Sequence, residues 1–383
     1  MADFNESNII TLINRVEEQV KKVHTQSLDL SFNELLDMHK DSELDISPDY
    51  QRLFQWSEGA RSRFIESLLL EMPVPPIFVI EEEDGKYTLI DGLQRISSYL
   101  HLRGELNAPH LEPPVAKGDK LVLTDCDIVN DLNGKTFDQL GTALQIRLKR
   151  AFVRVEVIRK GSDPFLKYHM FKRLNNGGQL LTEQQIRNCT IRLLDLKFND
   201  FIISLSKDED FINCIETIGD TRVWKAFDQE LVLRFFAIKN YRKNYKGYLG
   251  DFLTEYMEYI ARNDAMGDSQ FNYEEEKKIF LKTFALLSNT LGEYSFSFYD
   301  RKGSKLTRGF SANNYEAITI GIQPFIDKIN IHNQQMLKNF RDQIETLKSE
   351  PDYIELTAGG GKNSIGQLEK RIKYVTNWLN KKL

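Results

Sequence analysis

The sequence predicts an α+β first half followed by an all-helical second half. Two observations carry this. Strand signals are confined to the first part of the chain, where IFVIEE and KYTLID flank a turn and AFVRVEVI alternates cleanly. From about residue 196 onward strand signals almost vanish, and helical patterns rich in Phe, Tyr and Leu succeed one another over 198–206, 226–242, 247–263, 272–291, 312–325, 331–348 and 363–382. The chain is therefore divided into an N-terminal helix (1–24), an α+β domain (25–195) and an α-helical domain (196–383).

The elements follow in order. Residues 8–23 read as a helix with Ile9, Leu12, Ile13, Val16, Val20 and Val23 on one face. The Leu28/Leu30 alternation predicts a short strand, after which Ser31 is an N-cap with Glu34 at the third helical position. Pro48 opens an extended segment, ISPDYQRLFQW. A helix over 59–71 turns Phe64, Ile65, Leu68 and Leu69 toward a core, and the prolines of Met72–Pro76 end it. IFVIEE and KYTLID form a hairpin around Glu83-Asp84-Gly85-Lys86, and Gly92 then opens a helical run, LQRISSYLHLRG. KLVLTDCDIV is strand-like, KTFDQL is a short helical stretch, and AFVRVEVI is a strand. A helix around 164–174 ends in Asn175-Asn176-Gly177-Gly178, and Thr182 caps the next one.

Composition limits the function classes. The chain has 383 residues, 41% of them hydrophobic and 28% charged, as in a soluble globular protein of one or two domains. A net charge of −5 leaves any nucleic-acid contact to a local basic patch. Two are candidates: Arg147, Lys149, Arg150, Arg154, Arg159 and Lys160, and a stripe of Lys239, Arg242, Lys243 and Lys246 interleaved with Tyr241, Tyr245 and Tyr248. The same residues suit a solvated face and an exposed helix end with tyrosines packed inward. Three separated cysteines (Cys126, Cys189, Cys214) form no CxxC pair, which points away from a disulfide framework and toward a reducing cytoplasm. The first residues lack the apolar core of a signal peptide, and no window approaches a membrane span. The six histidines have no zinc-ligand spacing, and no GxSxG or His-Asn-His nuclease pattern occurs. Thr357–Ser364 is not a P-loop, because Leu356 stands where the first glycine belongs and Asn363 where Ser or Thr is required.

Three constellations remain. In LIDGLQRISS (89–98) a helix starts directly after a strand, so free backbone N–H groups and the positive end of the helix dipole coincide, an arrangement suited to phosphate. Gly92 permits close backbone approach, Arg95 offers a planar fork of donors, Ser97 and Ser98 are further donors, and Asp91 is placed to hold a metal or orient a water. A simple strand–helix turn, with Arg95 in an ion pair, fits the same residues. In Asp49–Trp56, Gln51 and Arg52 line a polar cleft anchored by Tyr50, Phe54 and Trp56, or the segment is an aromatic-anchored edge. In Phe171–Gly178, followed by Thr182–Asn188, Asn175 and the glycines close over a ligand, or the stretch is an ordinary helix–turn–helix connection.

Taken together and in this order, YQRLFQW, RFIESLLLEMPVPPIFVIEEEDGKYTLIDGLQRISSYL and FKRLNNGGQLLTEQQIRN resemble the N-terminal domain family of GmrSD-type restriction endonucleases, over about residues 25–195. The family's Asp-Gly-Gln-Gln-Arg segment is here Asp91-Gly92-Leu93-Gln94-Arg95, its Tyr-Gln-Arg is intact at Tyr50–Arg52, and its Asn-x-Gly-Gly turn is intact at Asn175–Gly178. The likeness continues loosely into Phe227–Glu230 and Leu233–Phe235. The resemblance implies a ParB/sulfiredoxin-like α+β core that binds an NTP with Mg²⁺. It assigns Asp91, Gln94 and Arg95 to catalysis, and Gln51, Arg52, Gly92, Ser97, Ser98, Arg173 and Asn175 to the nucleotide. Asp91 and Asn175 would hold the metal. It implies NTP binding and hydrolysis coupled to DNA sensing in bacterial antiphage defence, with a separate nuclease or effector subunit as partner and a homo-oligomer as one assembly. Leu93, standing in place of a glutamine, supports binding more strongly than hydrolysis. The alternative is a non-catalytic nucleotide- or DNA-binding sensor that docks a partner through its helical half.

Overall fold

The structure is a computed structural model that describes the chain apart from residues 1–5, 47–55, 110, 112, 164, 165, 168, 171, 172, 174–181, 192–195, 225, 266, 268–270, 300–305, 360–363 and 383. The chain divides into two compact units, Met1–Leu181 and Thr182–Leu383.

The first unit is α+β. Helix α1 (Glu6–Val20) is followed by β1 (Thr25–Ser31), α2 (Phe32–Lys40), β2 (Leu44–Asp45), α3 (Glu58–Leu69), β3 (Ile77–Glu81), β4 (Tyr87–Asp91), α4 (Leu93–Leu102), α5 (Gly141–Arg150) and β5 (Phe152–Ile158). The strands form one mixed sheet in the order β1-β5-β3-β4-β2. Strand β5 runs antiparallel to β1 and parallel to β3, β3 is antiparallel to β4, and β4 is parallel to β2. Central β3, IFVIE, is apolar along nearly its whole length because both its faces are covered, and Ile77, Val79 and Ile80 are buried. The core joins these strands to α2, α3 and α4 through Phe32, Leu35, Ile65, Leu68, Ile96, Tyr99 and Leu100. The 59–71 pattern is realised: Ile65, Leu68 and Leu69 are buried and Phe64 packs edge-on against Phe32. Ser31 caps α2, its Oγ accepting from Glu34 N at 3.0 Å.

Two local expectations are corrected. KLVLTDCDIV is not a strand. Its backbone N–H groups are taken by partners other than a neighbouring strand: Leu121 donates to His101 O, Leu123 to Lys135 O, Thr124 to Ser62 Oγ and Cys126 to Asn133 Oδ1. The apolar face of α1 forms as read, but Leu12, Ile13, Val16 and Val20 are all exposed. The helix expected over 164–174 and the Asn175–Gly178 turn fall largely outside the described residues.

The second unit is helical: α6 (Glu183–Ile191), α7 (Leu196–Leu205), α8 (Glu209–Ile215), α9 (Asp220–Trp224), α10 (Phe227–Tyr241), α11 (Leu249–Ala265), α12 (Tyr273–Thr290), α13 (Ala312–Gly321), α14 (Gln334–Ser349), α15 (Pro351–Thr357) and α16 (Ile365–Lys382). The short helices α8, α9 and α15 and the small hairpin of β6 (Phe298–Tyr299) and β7 (Leu306–Thr307) escape periodicity, being under about two turns or two residues per strand. The core is dense in aromatic rings, with Phe235, Phe236, Phe280 and Phe284 in mutual contact. No helix is long and apolar enough to cross a membrane among the described residues.

Candidate anion site at the start of helix α4

Strand β4 delivers Asp91 to the edge of a turn. Between Leu89 and Asp91 the pairing with β3 slips: Val79 faces Leu89 while Phe78 faces Asp91, so Ile90 is the extra residue of a bulge. Such a bulge re-aims the side chain that follows it. Gly92 then adopts φ 110° and ψ 7°, the left-handed region, and α4 begins at Leu93 with no side chain capping it among the described residues. A Cβ on Gly92 would lie 2.7 Å from Ile77 Cγ1 and 3.2 Å from Ile77 Cγ2, so both the φ angle and the space demand glycine here. An uncapped helix start keeps its first backbone N–H groups for a ligand or water.

Arg95 lies across this turn. Its Nη2 donates to Asp91 Oδ2 at 2.9 Å and to Pro76 O at 3.1 Å, tying the helix start to the segment that leads into β3. Its Nε is buried with no hydrogen-bond partner among the described residues. Gln94 Oε1 accepts from Trp56 N at 3.2 Å, and Arg61 Nε donates to Trp56 O at 2.8 Å. The backbone of Trp56 is thus held on both sides, which fixes the described end of the Asp49–Trp56 constellation against the Asp91–Arg95 constellation. Tyr50, Gln51, Arg52 and Phe54 lie outside the described residues. Ser97 and Ser98 are buried on the inner side of α4. Ser98 Oγ donates to Gln94 O at 2.6 Å, and Ser97 Oγ is without a partner among the described residues. Arg173 is exposed, and Asn175 lies outside the described residues.

Residues 32–192 match the family model of the GmrSD restriction endonuclease, N-terminal domain. This stretch belongs to the GmrSD N-terminal domain family. No curated protein and no solved structure matches the chain.

The GmrSD-type stretch runs past the boundary at Leu181 and includes α6. Thr182 and Gln185 cap α6 reciprocally, Gln185 N donating to Thr182 Oγ1 and Thr182 N to Gln185 Oε1. Within the second unit α6 meets the Phe227–Phe235 motif directly. Asn188 Nδ2 donates to Gln229 Oε1, and Arg187 Nη2 pairs with Glu230 Oε2 at 3.1 Å. Glu230 also binds Arg234 at 2.6 Å, Arg234 binds Glu316 at 3.1 Å, and Glu316 binds Arg371. Three arginines and two glutamates thus alternate along one buried chain of ion pairs.

Sequence reasoning missed the polar residues beneath the GmrSD-type helix start. Arg61 and His101 are buried, and Arg61 Nη1 donates to His101 Nδ1 at 3.0 Å. Burial, and then the Arg61 charge, push the His101 imidazole down to about 4. The ring is neutral at physiological pH, with its proton on Nε2 because Arg61 can only donate. Glu66 is buried too, its Oε1 accepting from Ile128 N and Val129 N. The signal was present: Arg61 stands four residues before Ile65 and seven before Leu68, on the core-facing register of α3.

In the basic stripe three of the four cations stand in ion pairs and two of the three tyrosines pack against other rings. Lys239 pairs with Glu276, Arg242 with Glu369 and Lys246 with Glu255, while Tyr245 is buried and Tyr241 stacks on Phe252 and Tyr259. In the other patch Arg147, Arg154 and Arg159 pair with Glu71, Asp29 and Glu81.

The donor set at Gly92–Arg95, a helix start without a side-chain cap and a guanidinium whose buried Nε has no partner among the described residues, suits an anion such as a phosphate. Of the two residues expected to hold a metal, Asp91 faces Arg95 and Asn175 lies outside the described residues; among the described residues no group of three or more His, Cys, Asp or Glu is placed to hold a metal ion.

Proposed function

We propose that the α4 start, Gly92–Arg95, binds the phosphates of a nucleoside triphosphate within a restriction-type defence protein that senses DNA and acts with a separate effector. One observation carries the phosphate reading: a helix N-terminus behind a left-handed glycine, with no side-chain cap and, across it, an arginine whose Nε has no partner among the described residues. An anion there would take the amide N–H groups and exchange the Asp91–Arg95 contact for a phosphate–Arg95 contact, which is bidentate and charge-assisted. Asp91, released by that exchange, would face the anion's counter-ion or an attacking water. The mixed sheet, hairpin and strand-to-helix turn support a ParB/sulfiredoxin-like core, and the family match supports the defence setting.

Binding is better supported than turnover. Leu93 offers no polar group, Asp91 is paired with Arg95, and Gln94 holds the Trp56 backbone. A second reading, a nucleotide-gated sensor without hydrolysis, rests on those three facts. The test is equilibrium binding of each NTP together with phosphate release, for wild type, Arg95→Ala and Arg95→Lys. A hydrogen bond to a charged group is worth about 1.5–3 kcal/mol, so Arg95→Ala weakens binding on the order of tenfold to a hundredfold, and lysine restores only part of it. Equal affinity and equal turnover in wild type and Arg95→Ala would sink the assignment. Tight binding without phosphate release would select the sensor.

A further inference from the structure

The second unit holds a cavity of about 240 Å³ between α14 and the Leu291–Tyr299 segment. Leu291, Tyr294 and Tyr299 supply an apolar and aromatic wall, and Arg341, Glu345 and Lys348 line the α14 side. The Lys348 side chain is almost wholly buried, at 3% exposure. Its Nζ donates to Tyr294 O at 2.6 Å and to Ser297 Oγ at 3.3 Å, both neutral acceptors. No carboxylate lies within ion-pair distance of it among the described residues. Glu345, one turn earlier on the same helix, is engaged instead by Arg341 Nε at 2.8 Å. An amine without a counter-charge is costly to bury, and burial pushes Lys348 down to about 7. Two groups facing it act in the opposite direction, the Glu345 carboxylate and the Cys214 thiol from α8, and neither is an ion-pair partner. When Lys348 is protonated, the ionic groups of the lining carry two positive charges and one negative.

We propose that this cavity binds a small organic anion, a carboxylate or phosphate monoester on a single flat ring, with Lys348 as the counter-charge and Tyr294 and Tyr299 as the walls. The volume equals that of about eight waters at ~30 Å³ each, enough for one ring and its acid group and too small for a nucleotide chain. Arg341, half-exposed at the side open to solvent, keeps donors beyond the one given to Glu345 and draws the anion in. The anion completes the amine's third hydrogen bond and neutralises it, so binding above pH 7 takes up a proton.

The probes are benzoate and phenyl phosphate, with benzyl alcohol as the uncharged ring, titrated calorimetrically into the full chain. Both acids are expected to saturate one site, at least tenfold tighter than the alcohol; the stronger of the two separates carboxylate from phosphate recognition. Lys348→Met, which keeps the stem and removes the buried amine, is expected to weaken the acids at least tenfold and to leave the alcohol within twofold. Titrations at pH 8 in buffers of different ionisation enthalpy read proton uptake in the wild type alone, so the proposal stays testable if the variant does not fold. Equal affinity for acid and alcohol, unchanged acid binding by Lys348→Met, no proton uptake at pH 8, or no binding at all would each overturn it.

Discussion

Replacing Gly92 with alanine tests the geometry of the α4 start. Two costs add at this position. A side chain in left-handed backbone costs about 1–2 kcal/mol, and the new methyl would sit 2.7 Å from Ile77 Cγ1, inside contact distance of a residue buried in the central strand. Overpacking of that kind costs about 1–3 kcal/mol. Gly92→Ala should therefore destabilise the first unit by roughly 2–5 kcal/mol. Gly85 provides the control: it also has positive φ, 84°, but a Cβ there would meet nothing within 4 Å. Gly85→Ala should cost only the first term, about 1–2 kcal/mol. The assay is hydrogen exchange of the 93–102 and 77–81 peptides, which reads local opening of this unit without the second one. Adding Ile77→Ala to each variant isolates the contact, because removing the Ile77 branches relieves the clash in the Gly92→Ala background only. A coupling of about 1 kcal/mol or more is expected with Gly92→Ala and none with Gly85→Ala. If Gly92→Ala is no worse than Gly85→Ala, or if Ile77→Ala is additive with both, the packing argument for this glycine fails.

Further outcomes follow from the same contacts. His101 has its folded value depressed to about 4 from an ordinary 6.5. The unfolded chain therefore binds the proton first, so the associated stability is complete above pH 6.5 and is lost as the pH falls toward 4, by up to roughly 3 kcal/mol. A proton NMR titration of the imidazole with a midpoint near 6.5 would refute this. Arg234→Met breaks the buried charge chain at its centre and should cost about 3–5 kcal/mol, measured by urea unfolding of the second unit. A loss below about 1 kcal/mol would show that Arg187 and Arg371 satisfy the two glutamates alone. Ser31→Ala removes the cap of α2 and should cost about 1 kcal/mol, seen as faster exchange in the first turn of that helix.

Much of the architecture was legible in the sequence because it is set by local patterns. The hairpin around Gly85, the N-cap at Ser31, the buried stripe of α3 and the long helices of the second half each follow from residue spacing within a few turns. The same is true of the strand-to-helix step at Gly92 and of its Arg95. What the spacing left open was every question of partner. KLVLTDCDIV has the composition of a strand, but its donors are claimed by His101 and Ser62, which lie far from it along the chain, and by the nearby Asn133. The basic, tyrosine-rich stripe at 239–248 has the composition of a nucleic-acid surface, but Glu255, Glu276 and Glu369 arrive from other helices and pair with three of its four cations.

By itself, then, the sequence determined the long helices, the main strands of the first half, where glycine must stand, and which family's motifs occur in order. These properties depend on backbone geometry and side-chain period over short distances. The tertiary structure alone decided which charges are spoken for. It turned Arg61 and His101 into a buried pair, drew Arg187, Glu230, Arg234, Glu316 and Arg371 into one chain of alternating charge, and left the Lys348 amine in a cavity with no carboxylate within ion-pair distance among the described residues. An ion's partner is set by distance in space and by the water excluded around it, and neither quantity is written in the order of residues.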